Sequence, residues 1–296
     1  MNCDDLNPLT PDDTLIDGVC VGIVDPDGDG VPNFGDGQPC TGPGMPELCV
    51  DNCRFLPNPK QEDKDGDGVG DECSKVAEWD HVATRTKVVA LTFDDGYNDA
   101  VLTSILDTLD IYHAKGTFFL NGLYISDFTL SATTLLRLRT AGHLLGNHTY
   151  EHGIGTSRSE TRQALISNES VFEDAVGVKL RPLFRSPAYE ERPWLDSVLL
   201  DLGYTVKLLA NLDTHDWLNP PPPVEGMLRC VSEEVEPGDI ILFHVGPTNT
   251  PSALPRILEA LSKDGYQFVT VEELLFFGKP VRNVSQKAKI CDEYYK

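Results

Sequence analysis

Short apolar runs alternate with longer amphipathic stretches through residues 87–278. The run KVVALTF ends in polar residues, NDAVLTSILDTLD then places its apolar residues at helical spacing, and KGTFFLNG is again strand-like. Asn98 stands before the first helical stretch, where it can act as the N-cap. This alternation predicts a parallel sheet with helices between its strands, either doubly wound or closed into a barrel. In either arrangement, the functional site lies at the carboxyl ends of the strands.

The first quarter of the chain lacks this alternation and has few apolar residues. Two of its stretches resemble each other, DPDGDGVPN from Asp25 and DKDGDGVGD from Asp63. The composition changes after this region, and we expect the chain to divide accordingly. The predicted parts are a small loop-rich domain at 1–75, a linker at 76–86, an α/β domain at 87–278 and a C-terminal tail at 279–296.

Eight cysteines are present, and six of them fall in the first quarter among Gly, Pro and Asp. An even number in a small loop-rich segment predicts disulfides in an oxidising compartment. The alternative is a zinc cluster, which is disfavoured because there is no CxxC pair and no histidine before His81. The remaining two cysteines, Cys230 and Cys291, can pair only if the fold brings them close, which the sequence leaves open.

The formal net charge is −23, and residues 1–75 contribute 17 acidic side chains against 4 basic ones. A chain of this charge repels nucleic acid and anionic lipid. No apolar run is long enough to span a membrane, so no membrane span is predicted. The first twenty residues lack the basic and apolar regions of a signal peptide, although the cysteines favour a secreted, periplasmic or cell-surface location.

The stretch DKDGDGVGD has carboxylates at every second residue and a glycine after the third. The ligand positions of an EF-hand loop correspond here to Asp63, Asp65, Asp67, the carbonyl of Val69 and Asp71. The twelfth position holds a serine instead of glutamate, and no amphipathic helices flank the loop. We therefore predict Ca²⁺ binding without the EF-hand fold, with a flexible acidic linker as the alternative.

The longer string DNCRFLPNPKQEDKDGDGVGDEC closely resembles a thrombospondin type 3 repeat. The resemblance implies that calcium ions and disulfides replace a hydrophobic core, and that the segment serves as a spacer or as an attachment to the cell surface or extracellular matrix. The calcium ligands that it implies are Asp25, Asp27, Asp29, Asp51, Asp63, Asp65, Asp67 and Asp71.

Polar, titratable residues stand at the ends of five predicted strands: Asp94 and Asp95, His148, Arg185, Asp213, and His244. Adjacent carboxylates resist burial unless something pairs with them, so the two aspartates of LTFDDG require a partner. In HTYEH, His148 and His152 are four residues apart, and one turn of helix would place both imidazoles on one face. A pair of surface histidines is the alternative. With a carboxylate from another strand end, they would form an open, catalytic zinc site that Co²⁺ or Ni²⁺ could also occupy.

Five motifs in order, TFDDG, HTYEH, RSP, DTHDW and LFH, resemble those of the polysaccharide deacetylases, the family 4 carbohydrate esterases with the NodB-homology domain. The resemblance implies a distorted (β/α) barrel. It also implies a metal-dependent hydrolase that removes acetyl groups from a polysaccharide containing N-acetylglucosamine, such as chitin or peptidoglycan.

The resemblance also assigns roles to the residues of these motifs. It implies that Asp95, His148 and His152 bind the metal. Asp94 would act as the base that takes a proton from a zinc-bound water, and His244 would be the acid that protonates the leaving nitrogen.

Six further residues receive supporting roles from the same resemblance. Asp213 would pair with His244, and Arg185 would orient Asp94. The remaining four would contact the substrate: Trp217 and Leu242 around the acetyl methyl group, the backbone N–H of Ala188 at the oxyanion, and Tyr189 along the groove. The family commonly has tyrosine where this chain has Ala188.

Alternative functions remain open at this point. An O-acetyl esterase acting on xylan uses the same machinery, and the motifs do not separate the two. A catalytically silent carbohydrate-binding or adhesion protein would be expected to lack a metal ligand or the base, and this chain retains them. The calcium-binding arm could also carry a surface-attachment function of its own. The predicted partner is an acetylated polysaccharide.

Overall fold

The computed structural model describes residues 13–16, 19–22, 52–53, 58–63, 70–246, 248–282 and 288–295. The chain divides into two compact units, Met1–Lys75 and Val76–Lys296. Six of the predicted calcium ligands lie outside the described residues: Asp25, Asp27, Asp29, Asp51, Asp65 and Asp67.

In the first unit, β1 (Asp13–Ile16) and β2 (Val19–Gly22) form an antiparallel hairpin. Further along, a disulfide joins Cys53 to Cys73, as the cysteine pattern predicts for this segment. Polar side chains bond to one another in the same segment. Asn58 Nδ2 donates to Asn52 Oδ1 at 2.5 Å, and Gln61 Nε2 donates to Asn58 Oδ1 at 2.8 Å. Polar bonds and a disulfide therefore hold this segment together.

The second unit contains the strands of the predicted α/β domain. They are β3 (Ala77–Trp79), β4 (His81–Ala83), β5 (Val88–Asp95), β6 (Gly116–Leu120), β7 (Leu144–Asn147), β8 (Leu183–Phe184), β9 (Val206–Leu208), β10 (Leu212–Asp213), β11 (Ile240–Val245), β12 (Gln267–Val269), β13 (Lys279–Val281) and β14 (Lys289–Ile290). The helices are α1 (Asp99–Ile111), α2 (Leu123–Ser126), α3 (Ala132–Thr140), α4 (Arg158–Val176), α5 (Leu195–Asp201), α6 (Val224–Glu234), α7 (Thr250–Lys263) and α8 (Val271–Leu274).

The strands form one parallel sheet in the order β14-β10-β11-β5-β6-β7-β8-β9-β3, with β12 paired to the start of β5. Among the described residues, no pairing joins β14 to β3, so the sheet is a half-barrel open at these two edges. The predicted α/β architecture is thus confirmed for the second unit. Separately, β4 and β13 form an antiparallel pair.

The centre of the sheet is β5, whose eight residues are all buried. The ring of Phe93 in β5 stacks against two neighbouring rings. The distance between ring centroids is 4.8 Å to Phe118 of β6 and 5.6 Å to Phe243 of β11. The side chain of Asn98 accepts a hydrogen bond from the backbone N–H of Ala100 at 2.9 Å, which confirms it as the N-cap of α1. This packing fixes the carboxyl end of β5, where the two adjacent aspartates lie.

Residues 76–86 were predicted to be a linker, but they contain two strands. β3 pairs with β9 at an edge of the sheet, and β4 pairs with β13. Strands of three residues are too short to display a period-two pattern, which explains why the sequence does not reveal them. At the other end of the chain, a disulfide joins Cys230 to Cys291, a pairing that the sequence left open.

None of the helices in the described ranges is both long enough and apolar enough to cross a membrane.

Candidate active site

A cavity of about 710 Å³ opens at the carboxyl ends of the central strands. Its volume lies within the range of small-molecule and cofactor sites. Every active-site residue predicted above lines it, with the exception of Arg185. The residues that sequence reasoning did not assign to the site but that also line the cavity are Tyr97, Ser186, His215, Gly246 and Thr248.

Asp94 and Asp95 are neighbours in sequence, yet both side chains reach the cavity. Successive side chains of a regular strand point to opposite faces, so a regular β5 would turn one of them away. The backbone departs from strand geometry at this point, because Asp95 has φ of 78° and Gly96 has φ of 132°. These left-handed conformations redirect Asp95 toward the cavity.

Asp95 lies beside two histidines in a group that fits a divalent metal. Its Oδ1 is 3.3 Å from His152 Nε2 and 3.7 Å from His148 Nε2. The donor atoms of the three residues lie within 4.8 Å of one another. Asp95 Oδ1 is buried and has no hydrogen-bond partner among the described residues, which is costly unless a cation occupies the site. One carboxylate and two imidazoles are a donor set typical of catalytic zinc.

The tautomer of His148 is suited to binding a metal. Its Nδ1 lies 2.8 Å from the carbonyl of Arg185, which only accepts hydrogen bonds, so Nδ1 carries the proton. Nε2 is therefore left with its lone pair toward Asp95. Burial lowers the pKa of His148, which favours the neutral imidazole that a metal requires.

The prediction that HTYEH forms a helical turn is wrong. Residues 148–152 form a loop in which Thr149 and His152 have φ of 66° and 55°. Asn121 holds this loop by donating to the carbonyls of His148 and Thr149 at 2.8 and 3.0 Å. Asn147 accepts from the N–H of Thr149 at 2.8 Å. The two histidines converge through this supported loop, which the four-residue spacing alone does not indicate.

Arg185 lies behind the cavity and is fully buried. Its Nη1 donates to Asp94 Oδ1 at 2.9 Å and to Thr92 Oγ1 at 2.8 Å. Its guanidinium also lies over the ring of Phe119, 4.5 Å from the centroid. The structure thus brings Arg185 and Asp94 together, and it directs the other carboxylate oxygen of Asp94 toward His148 Nε2 at 3.8 Å.

The hydrogen-bond partner of His244 is Asp216, so the predicted pairing with Asp213 is wrong. His244 Nδ1 lies 2.7 Å from Asp216 Oδ1, and the backbone N–H of His244 donates to Asp216 Oδ2 at 2.9 Å. Asp213 instead accepts from the N–H of His215 at 2.8 Å. Asp213 ends β10, whereas the turn through His215, with φ of 49°, carries the second aspartate of DTHDW to His244.

The surroundings of His244 keep it protonated at neutral pH. Burial lowers the pKa of His244, but the negative charges of Asp216 and, to a smaller extent, of Asp94 and Asp95 raise it by more. The net result is a pKa of about 9. Asp216 is itself fully buried and also accepts a hydrogen bond from the hydroxyl of Thr250. Because Nδ1 is engaged by Asp216, Nε2 is the nitrogen that remains to act on a substrate.

The predicted substrate contacts differ in exposure. Trp217 is 54% exposed at the mouth of the cavity, whereas Leu242 is only 3% exposed within it. Ala188 and Tyr189 have φ of 50° and 52°, and this left-handed turn brings both to the cavity wall.

Known proteins are similar to this chain in both sequence and fold. The family model described as polysaccharide deacetylase matches residues 81–207. The peptidoglycan-N-acetylglucosamine deacetylase of Bacillus cereus is 34% identical over 203 residues, covering 67% of this chain and 92% of that protein. A CE4 family pseudoenzyme from Bacillus anthracis matches with a TM-score of 0.62 at 27% identity, covering 72% of this chain and 73% of that one.

A third relative is a family 4 acetyl xylan esterase from Clostridium thermocellum, solved with a cobalt ion. It matches with a TM-score of 0.56 at 33% identity, covering 64% of this chain and 90% of that one. The identity to the Bacillus cereus enzyme, together with the coverage of its length, is enough to assign the family. The enzyme class predicted from the five motifs is confirmed, and the chain belongs to the polysaccharide deacetylase family.

Proposed function

We propose that this protein is a metal-dependent hydrolase that removes acetyl groups from a polysaccharide containing N-acetylglucosamine. The observation that supports it best is a single cavity with three neighbouring groups: the Asp95, His148 and His152 cluster, the Asp94–Arg185 pair and the Asp216–His244 pair. These would supply a metal site, a carboxylate base and a protonated acid, a set that suits metal-assisted amide hydrolysis.

The three clustered residues would hold Zn²⁺, or Co²⁺ or Ni²⁺ in its place. When bound there, the cation would act as a Lewis acid toward the acyl oxygen and would make a water molecule more acidic. Within the part of the chain that the structure describes, Asp95 Oδ1 has no hydrogen-bond partner and His148 Nε2 is left with its lone pair, and both observations support this assignment. The cation would then neutralise the charge of Asp95, which explains how two adjacent carboxylates can be buried together.

Asp94 is proposed to be the base that accepts a proton from the attacking water. Arg185 binds Oδ1 and fixes the plane of the carboxylate, and Oδ2 is left facing the cluster. The ion pair with Arg185 also offsets the cost of burying the Asp94 carboxylate.

His244 is proposed to be the acid that protonates the leaving amine nitrogen from Nε2. Its partner Asp216 stabilises the imidazolium and fixes the ring, so that the proton is available at neutral pH. Asp213 takes no direct part in this step, since it binds the backbone of His215 instead.

The cavity walls suit an acetylated sugar. The exposed ring of Trp217 offers an apolar face to the substrate, and the buried Leu242 is placed for the acetyl methyl group. The backbone N–H of Ala188 is proposed as a donor to the developing oxyanion. A relative acts on peptidoglycan by name, which makes peptidoglycan the first polymer to test and chitin the second.

We also propose that residues 1–75 form a calcium-binding, disulfide-stabilised domain similar to a thrombospondin type 3 repeat. The Cys53–Cys73 disulfide and the side-chain hydrogen bonds around Asn52 support this proposal. Its proposed role is attachment of a secreted enzyme to a surface. Ca²⁺ should slow proteolytic cleavage within 1–75 of the full chain, whereas Mg²⁺ at the same concentration should not. Equal cleavage with and without Ca²⁺ would contradict the proposal.

Two alternatives have specific support among the relatives. One relative is an acetyl xylan esterase, so O-deacetylation of xylan must be measured in parallel. Another is called a pseudoenzyme, so a family fold alone does not establish turnover.

Acetate release from peptidoglycan, chitin oligomers and acetylated xylan separates these functions. The metal-free enzyme would be tested with and without added Zn²⁺, beside Asp94→Asn and the control Asp174→Asn, which alters an exposed carboxylate of α4. We expect Zn²⁺-restored release from an N-acetylated polymer in the wild type and in the control only. Release from xylan alone would establish the esterase, and no release from any polymer would favour the silent binding protein.

A further inference from the structure

The last described segment of the chain, Lys289–Tyr295, lies beside the loop that carries the partner of His244. Its strand β14 pairs in parallel with β10, with Leu212 opposite Lys289 and Asp213 opposite Ile290. β10 has β11 on its other side and leads directly into residues 214–217, the acid-partner loop. The terminal segment therefore covers the edge of the sheet next to the site.

The terminal segment is fastened to α6 by a disulfide and by hydrogen bonds, one of them from Lys289 Nζ to the carbonyl of Glu234 at 2.7 Å. Its Cys291 forms the disulfide with Cys230 of α6, and both cysteines are fully buried. The hydroxyl of Tyr294 donates to Glu234 Oε1 at 2.5 Å, also on α6. The segment thus has a rigid base from which to support a neighbouring loop.

α6 leaves room for this segment at a glycine. A Cβ placed on Gly226 would lie 2.7 Å from the carbonyl oxygen of Tyr294 and 2.7 Å from Cδ1 of Tyr295. A Cβ carbon does not approach other non-bonded heavy atoms this closely, so a larger residue at Gly226 would displace the segment.

Two side chains that follow Cys291 in the terminal segment bind the acid-partner loop. Asp292 Oδ1 lies 2.7 Å from His215 Nδ1, and the hydroxyl of Tyr295 donates to the carbonyl of Thr214. These contacts fall one and two residues before Asp216. On the side of β11, the same loop is held by the Thr214 hydroxyl, which donates to the carbonyl of Leu242 at 2.7 Å.

The loop needs support from both sides because its backbone is unfavourable. His215 has φ of 49°, a left-handed conformation that residues other than glycine rarely adopt. Its ring is held between Asp292 and Asp213, whose Oδ2 lies 3.5 Å from Nε2. Without the terminal segment, the loop would lose the contacts on the β14 side and could relax away from His244.

We propose that Asp292 and Tyr295 are positioning residues for the proton donor: they hold the acid-partner loop so that Asp216 remains bonded to His244. The proposal rests on the proposed function for its effect on catalysis. Its structural part, an ordered loop that depends on the terminal segment, does not.

The test uses the zinc-loaded chain of residues 1–296 with the double variant Asp292→Asn, Tyr295→Phe. Glu293→Gln is the matched control, since it removes an exposed charge from the same segment. Gly226→Ala is a second probe that displaces the segment from α6 while leaving every loop residue unchanged. Measurements are kcat, KM, the pH profile of kcat/KM, and hydrogen exchange of the peptide covering 211–218.

We expect kcat of the double variant to fall about ten-fold with KM changed less than about two-fold, because a small displacement of a catalytic group is costly. The high-pH limb of kcat/KM should move to lower pH, since Asp216 would support protonated His244 less firmly. Exchange at 211–218 should become faster. Gly226→Ala should show the same changes, and Glu293→Gln should show none.

Two results would overturn the proposal: unchanged kcat, pH profile and exchange in the double variant, or a lower kcat with an unmoved pH profile and unchanged exchange. If the wild-type protein releases no acetate, the proposed function fails, and the exchange of residues 211–218 still decides the inference. Faster exchange in the double variant and in Gly226→Ala would support it, and unchanged exchange would reject it.

Discussion

The assignment of Asp216, in place of Asp213, as the partner of His244 makes a sharp prediction for Asp216→Asn. The substitution keeps the side chain's shape but removes the charge that lies 2.7 Å from Nδ1. The pKa of His244 should then fall from about 9 toward its ordinary value of 6.5, because burial lowers it and its strongest support is gone. His244 acts as an acid, so activity is lost as the pH rises through its pKa.

The size of the effect follows from the protonated fraction. At pH 8, a histidine with a pKa near 9 is about nine-tenths protonated, and one with a pKa near 6.5 is about 3% protonated. We therefore expect kcat/KM of Asp216→Asn at pH 8 to be about 30-fold below wild type, with a smaller loss near pH 6. The high-pH limb of the profile should move to lower pH.

Asp213→Asn is the matched control, since it changes the other aspartate of the same motif. Asp213 bonds to the N–H of His215 and not to His244, so the high-pH limb should move far less than in Asp216→Asn. The pH profile of acetate release would be measured for both variants, together with their thermal unfolding. A shifted limb in Asp213→Asn beside an unshifted limb in Asp216→Asn would refute the reasoning.

Three other outcomes are expected. His152→Ala should weaken Zn²⁺ binding by more than about 100-fold in calorimetry, since removal of an outer partner alone costs 10–100-fold; unchanged affinity would exclude the proposed ligand. Arg185→Ala should lower the free energy of unfolding in urea by about 3–5 kcal/mol because Asp94 is left buried without its partner, and a loss under about 1 kcal/mol would contradict this. Replacing Cys230 and Cys291 by alanine opens a link across a sequence separation of 61 and should cost about 4 kcal/mol of unfolding free energy; equal stability would reject that estimate.

The sequence predicted which residues line the active-site cavity better than it predicted the backbone geometry that brings those residues together. Apolar runs ending in titratable residues predicted that Asp94, His148 and His244 meet at one edge of a parallel sheet, because that edge is common to all parallel strands. The N-cap at Asn98 was also predictable, since capping depends on residues close in sequence.

The errors arose where the outcome depends on backbone conformation or on distant packing. HTYEH is compatible with a helical turn, and only the left-handed residues Thr149 and His152 make it a loop. DTHDW offers two aspartates, and the turn at His215 decides which one reaches His244. β3 and β4 depend on partners far along the chain, which a three-residue stretch does not reveal. The calcium ligands of residues 1–75 stay predictions.

The central claim is that Asp95, His148 and His152 hold a metal ion on which deacetylation depends. The most direct test is a titration of Zn²⁺ into the metal-free enzyme, with bound metal and acetate release measured on the same samples, for the wild type and for His148→Ala. We expect acetate release to rise in proportion to the Zn²⁺ bound and to level off at one functional equivalent, and we expect His148→Ala to lack that equivalent. Full acetate release by the metal-free enzyme, or equal activity and zinc content in the variant, would contradict it.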